Sequence, residues 1–316
     1  MTSGGEPREQ PMTSAVIGAG SLGCLVAGWL HEGAGSTVLC ARSEVPEVRI
    51  TDRAGTRTVA VPVVYDPGEV GVVDVVWLTT KAYDTAGAAD WLRALVAEET
   101  VVVVVQNGVD HADRLAGLVP ANQVLPAVAY IAAERVEPGH VRHDAGRRLL
   151  VPPGRTAARA VAATGDGRLD VRTSEDFRTE AWRKLLRNAA GNPICALTLA
   201  RLRVFADPSV RAMARSVLEE VVAVGRAAGA DLGPDDVEAV FAMFDGLPPD
   251  TGSSMLYDRL AGRRLEHEEL TGVVVATADA HGVEVPVNRT LLALLRGLRS
   301  GEDSTEETGV NRSEPG

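Results

Sequence analysis

In the first half of the chain, short apolar runs of strand length alternate with amphipathic stretches of helix length. Residues 14–17, 37–40, 72–78 and 101–105 are rich in β-branched residues and bounded by Gly, Asp or Asn, the signature of buried strands. Residues 22–31 and 82–96 carry helical periodicity, and 58–64 reads as an extended excursion. Strand–helix–strand alternation over short loops predicts a mostly parallel, doubly wound sheet. After Gln123 the pieces shorten, around 128–131, 140–143 and 149–151, and are expected to close that sheet with antiparallel strands. From Glu175 onward strand signals vanish, and helices are predicted over 179–190, 208–228, 266–281 and 289–298, with another beginning near Ser253. Gly229 and Gly282 follow helical runs, where a left-handed cap favours glycine.

The pattern therefore predicts a Rossmann-type α/β N-terminal domain followed by an all-α C-terminal domain, with a cleft between them. The expected boundaries are a disordered tail at 1–11, a nucleotide-binding domain at 12–172, a helical substrate and catalytic domain at 173–300, and a second disordered tail at 301–316. The switch itself is placed near 169–176. The tails are rich in Ser, Gly, Glu and Pro, which cannot assemble a packed element.

Composition narrows the function classes. A net charge of −11 disfavours nucleic acid and anionic membranes as partners, because phosphate binding needs clustered positive charge. Apolar runs fall well short of the roughly 20 residues that span a bilayer, and no charged segment precedes an apolar one as in a secretory signal. A cytoplasmic enzyme is expected. Cys24, Cys40 and Cys195 stand singly in apolar stretches and read as small core residues of a reducing compartment, with no metal-ligand spacing.

The first strand runs directly into Gly18-Ala19-Gly20-Ser21-Leu22-Gly23, and a helix pattern leaves it. In that setting the glycines permit a tight turn, approach of backbone to a pyrophosphate, and close helix–strand packing. The helix N-terminus adds free N–H groups and positive potential. NAD sites place Asp or Glu at the end of the second strand. Here Ala41-Arg42-Ser43 follows it, and the cation suits a 2′-phosphate, hence NADPH/NADP+, although Glu44 stands close by. Lys81 and Asn107-Gly108 follow the next two strands, so Gly18, Arg42, Lys81 and Asn107 should gather at one carboxyl edge. Singly, Lys81 could be a solvated loop lysine and Asn107-Gly108 a plain turn.

The helical half opens with Lys184, Asn188 and Asn192 spaced four apart, which drift only about 80° around a helix and share one face. Their neighbours Leu185, Leu186, Ala189 and Ala190 are apolar, so the stripe needs polar partners, and a substrate would supply them. Partial burial would draw the Lys184 ammonium toward neutrality and let it act as a general acid. A solvent-facing Lys/Asn pattern gives the same spacing. Pro193 is expected to kink or end the helix.

The chain resembles the ketopantoate reductase family. The resemblance rests on Gly18-x-Gly20-x-x-Gly23, Thr80-Lys81-Ala82, Gln106-Asn107-Gly108 and Glu137-Pro138-Gly139. It continues through Trp182-Arg183-Lys184-Leu185 with Asn188 and Asn192-Pro193, and through Ser253-Ser254-Met255-Leu256 followed by Glu266. It implies NADPH-dependent reduction of a 2-oxo acid, with 2-dehydropantoate reduced to pantoate in pantothenate synthesis. Lys184 would be the proton donor; Asn188, Asn192 and Ser254 would hold the substrate. Asn107 would touch cofactor and substrate, Ala133 would line the nicotinamide side, and Glu266 would close over the cofactor. From the residues alone, Ser254 could as well cap a helix and Glu266 be a surface acid. One unbroken helix would separate them by about 18 Å, so a break is expected at Gly262. The stretch after Pro193 lacks the family's Gly-containing turn and carries Arg201 and Arg203, cations that would suit a larger or more acidic 2-oxo compound if they are not surface residues. Other readings stay open: a related NADPH-dependent reductase of a different keto acid or natural-product intermediate, or a non-catalytic NADPH-binding regulator. A homodimer is an open partner state.

Overall fold

The structure is a computed structural model that describes residues 12–34 and 36–298; the two expected tails, 1–11 and 301–316, lie outside the described residues. The chain divides into two compact units at Phe177–Arg178. In the first, β1 (Ser14–Ile17), α1 (Ser21–Ala34) and β2 (Thr37–Cys40) are followed by β3 (Val48–Asp52), β4 (Gly55–Val59) and β5 (Val63–Val64). Then come β6 (Val75–Leu78), α2 (Ala89–Leu95), β7 (Val101–Val104), α3 (His111–Arg114) and β8 (Val124–Pro126). The unit ends with β9 (Val128–Glu137), β10 (His140–Val151), α4 (Arg155–Ala162) and β11 (Asp170–Thr173).

Six strands form one sheet in the order β5-β2-β1-β6-β7-β8, every neighbour parallel. The strands bury both faces by alternation. Val16, Val75, Trp77, Val101 and Val103 enter one core with α1, while Ala15, Ile17, Val76, Leu78, Val102 and Val104 enter another with α2. Apolar residues on both faces are what covering a parallel sheet with helices requires. The order reverses between β1 and β6, the switch point at which such sheets bind ligands.

The expected antiparallel closure of this sheet does not occur. β9 and β10 pair with each other as a long hairpin in a second sheet that also holds β3, β4 and β11. Gly139 makes the hairpin turn at φ +79°, and a Cβ there would come within 2.1 Å of the Glu47 carbonyl oxygen. The parallel edge is instead extended by β8. Residues 82–96 are also not one helix: two single 3₁₀ turns, Ala82–Asp84 and Ala86–Ala88, precede the short α2.

The second unit is helical among its described residues: α5 (Phe177–Thr198), α6 (Pro208–Ala227), α7 (Pro234–Gly246), α8 (Ser254–Leu260), α9 (Val273–His281) and α10 (Pro286–Arg296). Pro193 does not end α5, which continues past it to Thr198. The turn from Gly191 to Ala196 is buried throughout, and tertiary packing holds the helix across the missing N–H. Gly229 and Gly282 adopt φ +83° and +67°, as the cap pattern predicts. α7 was not anticipated, although Pro234 at its first turn and the Asp236 carboxylate, which accepts from the Gly233 amide at 2.9 Å, mark its start.

Candidate active site

At the carboxyl edge of the parallel sheet the three glycines do three different jobs. Gly18 turns the chain at φ +108°, with the Thr80 amide nitrogen 2.9 Å from where its Cβ would stand. At Gly23 a Cβ would fall 1.7 Å from the Gly18 carbonyl oxygen, so only glycine lets α1 approach the turn. A Cβ on Gly20 would meet nothing within 4 Å. That open position lies beside the first turn of α1, where Ser21 begins the helix and its N–H groups have no helical partner. Thr79 fastens the turn: its hydroxyl lies 2.9 Å from the Ile17 carbonyl and 3.0 Å from that of Gly18. Ala19 and Leu22 are half-buried against the core.

Arg42 follows β2 and is largely exposed, 83% of its side chain, with a loose ion pair to Asp84 at 3.7 Å. Lys81 precedes the turn Ala82–Asp84 after β6, and Asn107 follows β7. Because β1, β2, β6 and β7 run parallel, Gly18, Arg42, Lys81 and Asn107 all sit at the same edge. Ala133 is elsewhere, on β9 opposite His143, half-buried in the same core as Ala19 and Leu22. Two residues at this edge were given no role by sequence reasoning. Gln106 is buried and its side chain is hydrogen-bonded, and buried His111 donates from Nε2 to the Gln106 carbonyl at 2.9 Å. The only sequence signal for Gln106 was its place beside Asn107.

In the helical unit, Lys184, Asn188 and Asn192 occupy successive turns of α5. Lys184 and Asn188 are half-buried and Asn192 is buried. Burial, aided by the neighbouring Arg187 cation, pushes the Lys184 ammonium down to about 8. Asn192 Oδ1 accepts from Ser254 Oγ and from the Met255 amide, each at 3.2 Å, so the stripe is joined to the start of α8. Ser253, not Ser254, caps that helix, its Oγ accepting from the Leu256 amide at 3.2 Å. The exposed Ser254 is left facing the stripe's last residue.

Glu266 is buried rather than a surface acid. Gly262, at φ +65°, breaks the chain after α8, and a π-helical turn, Glu268–Gly272, leads into α9. Ser254 and Glu266 are thus not on one continuous helix. Arg201 and Arg203 are engaged within the unit. Arg201 Nη1 donates to the Asp250 carbonyl at 2.7 Å and its guanidinium lies over the Tyr257 ring, while Arg203 pairs with the Asp250 carboxylate. The α5 C-terminus, which ends in Leu199 at φ +54° instead of a glycine, is held by Arg259, whose Nη1 donates to the Ala196 and Leu197 carbonyls.

The three cysteines are buried and their thiols pushed up, Cys24 and Cys195 to about 11 and Cys40 to about 12, so none offers a thiolate at neutral pH. Among the described residues no group of three or more His, Cys, Asp or Glu is placed to hold a metal, and no helix is long and apolar enough to cross a membrane.

Comparisons with known proteins agree with one another. Residues 14–155 match the family model of ketopantoate reductase PanE/ApbA, and residues 176–299 match the model of its C-terminal region. The chain is 36% identical over 286 residues to a 2-dehydropantoate 2-reductase of Caulobacter vibrioides, spanning 90% of this chain and 98% of that one. It is 37% identical over 289 residues to the 2-dehydropantoate 2-reductase of Mycobacterium tuberculosis, spanning 91% and 98%. Among solved structures, a PanE/ApbA family ketopantoate reductase from Ralstonia eutropha JMP134 superimposes with a TM-score of 0.82 at 34% identity, covering 94% of this chain and 100% of the other.

Proposed function

The chain belongs to the ketopantoate reductase family, and on that premise we propose that it reduces 2-dehydropantoate to pantoate with NADPH. The observation that carries the chemistry is the half-buried Lys184, its ammonium drawn to about 8, at the head of a polar stripe on an otherwise burying helix.

The residues present fit a dinucleotide. Gly18 and Gly23 leave no room for side chains in the turn, and Gly20 leaves open space where phosphate oxygens would approach backbone N–H groups. Arg42 would take the 2′-phosphate, with Lys81, Asn107, Ala133 and Glu266 completing the cofactor contacts. When bound, NADPH would supply the hydride that the substrate's carbonyl carbon receives. Lys184 then gives a proton from Nζ to the carbonyl oxygen as it gains charge, for which a pKa near the working pH is well suited. Asn188, Asn192 and Ser254 offer amide and hydroxyl groups to the substrate's carboxylate and hydroxyl end. The bonds that tie Arg201 and Arg203 to Asp250 and Tyr257 remove the ground for assigning a larger or more acidic acid to this chain.

The test is NADPH oxidation by the pure protein against a panel of 2-oxo acids. Ketopantoate should give the highest kcat/KM. A different acid preferred by about a hundredfold, near 2.7 kcal/mol of transition-state binding, would transfer the same mechanism to that substrate. No turnover with any acid would defeat the reductase reading.

A further inference from the structure

Gln106 lies buried just beyond β7, and its side chain reaches across the sheet edge to the loop that follows β6. Nε2 lies 2.9 Å from Thr80 Oγ1, 3.0 Å from Thr85 Oγ1 and 3.5 Å from the Lys81 carbonyl. Oε1 lies 3.4 Å from Arg114 Nη1. A guanidinium only donates and a carbonyl only accepts, so Arg114 and Lys81 together determine which way the amide faces. Thr85 gives its one hydroxyl proton to the Ala82 carbonyl at 2.7 Å, leaving a lone pair for Gln106 Nε2.

The main chain of Gln106 is held as well. Its carbonyl sits 2.9 Å from His111 Nε2, and since a carbonyl cannot donate, the imidazole carries its proton there. Burial, and then the Arg114 cation, press His111 down to about 4, so the ring stays neutral and keeps that tautomer through the physiological range. One residue thus ties together the loop after β6, the turn at Thr85 and helix α3. Lys81 supplies one of the acceptors, and Asn107 is the next residue along the chain.

We propose that Gln106 is a positioning residue for the cofactor site, locking the loop after β6 to the loop after β7 and so setting where Lys81 and Asn107 meet a bound dinucleotide. This rests on the reading that the edge binds NADPH. The bland alternative is an amide that merely fills and satisfies the core. The two differ in what they predict for ligand affinity in protein that has folded.

Gln106→Met keeps the length of the side chain and removes both its donor and its acceptor. NADPH binding is titrated by fluorescence, alongside thermal unfolding and steady-state kinetics. A positioning role predicts a rise in the NADPH Kd of about tenfold or more, with kcat at saturating NADPH held within about threefold. Thr85→Val, which removes one buried anchor away from the ligand, should move the Kd in the same direction by about threefold. A purely structural amide lowers the unfolding temperature and leaves the Kd alone, so a folded Q106M within about twofold of wild type overturns the proposal. If Q106M does not fold, Thr85→Val decides by the same criterion. Wild-type protein that binds no NADPH overturns the cofactor reading itself, a result separate from either variant's.

Discussion

Ser254 Oγ lies 3.2 Å from Asn192 Oδ1, and the same oxygen accepts from the Met255 amide, so the last residue of the α5 stripe also terminates the first turn of α8. Asn192 therefore carries a structural duty and, on the proposed function, a binding one. Asn192→Asp separates them. A carboxylate accepts both bonds and is favoured at a helix N-terminus, so the fold should hold and NADPH affinity stay within about twofold. It would repel the carboxylate of a 2-oxo acid, and the KM for that acid should rise by about tenfold or more. An unchanged KM would place the substrate's carboxylate away from Asn192.

The glycine turn makes a contrast that a generic loop would not. Gly20→Ala adds a methyl group where nothing lies within 4 Å, so its unfolding temperature should match wild type. The same methyl stands where the pyrophosphate would come, and NADPH affinity should fall by about tenfold or more. Gly23→Ala drives a Cβ to 1.7 Å from the Gly18 carbonyl and should be lost from the soluble fraction or unfold well below wild type. Equal behaviour of the two variants would sink the assigned division of labour.

Arg42 and Asp84 form an ion pair so exposed that it contributes about 1 kcal/mol at most. Asp84 therefore offers little resistance to a 2′-phosphate arriving at the guanidinium. Arg42→Ala should raise the NADPH Kd by about tenfold or more and leave NADH within about twofold, because only the first carries the phosphate. Parallel losses for both cofactors, measured by titration at one ionic strength, would remove Arg42 from the recognition of the ribose.

The parallel sheet was legible because its strands are buried on both faces: Val101–Val104 is apolar at every position, and Val75–Leu78 likewise, with Gly, Asp or Asn marking the bounds. Of the second sheet only pieces of β9 and β10 were legible, and they were assigned to the wrong sheet. Val48–Asp52 and Gly55–Val59 alternate through Arg49, Thr51, Arg57 and charged turns, a pattern that signals a strand only once its partner is known. The stripe at Lys184 could be read from a spacing of four. Its continuation to Ser254 came only through the family resemblance and not from spacing, because the link from Asn192 to Ser254 spans 62 positions and belongs to tertiary packing. Pro193 misled for a related reason: local rules end a helix there, and burial of the turns on both sides overrides them. Gln106 shows the limit most clearly, since a glutamine after a strand has no periodicity to betray it and its role rests on Thr80, Thr85, His111 and Arg114 together.

Lys184 gives the sharpest pH dependence. Its ammonium, lowered from 10.5 to about 8, is the donor form, so kcat/KM for the oxo acid should be level below about pH 8 and fall as pH rises through it. Lys184→Ala should lose about 10²–10⁴ in kcat while the NADPH Kd stays within about twofold. The same shift bears on stability with a fixed sign. The unfolded chain holds its proton up to 10.5 and the folded chain releases it at about 8, so the charged lysine costs stability in full below pH 8. That cost fades between pH 8 and 10.5, where the unfolded state binds more protons than the folded one. Lys184→Met should accordingly unfold at a higher temperature than wild type at pH 7, with the gap narrowing toward pH 10.5. A gap that widens with pH would mean that folding does not lower the Lys184 pKa, and a wild-type kcat/KM profile with no fall near pH 8 would mean that the proton comes from another group.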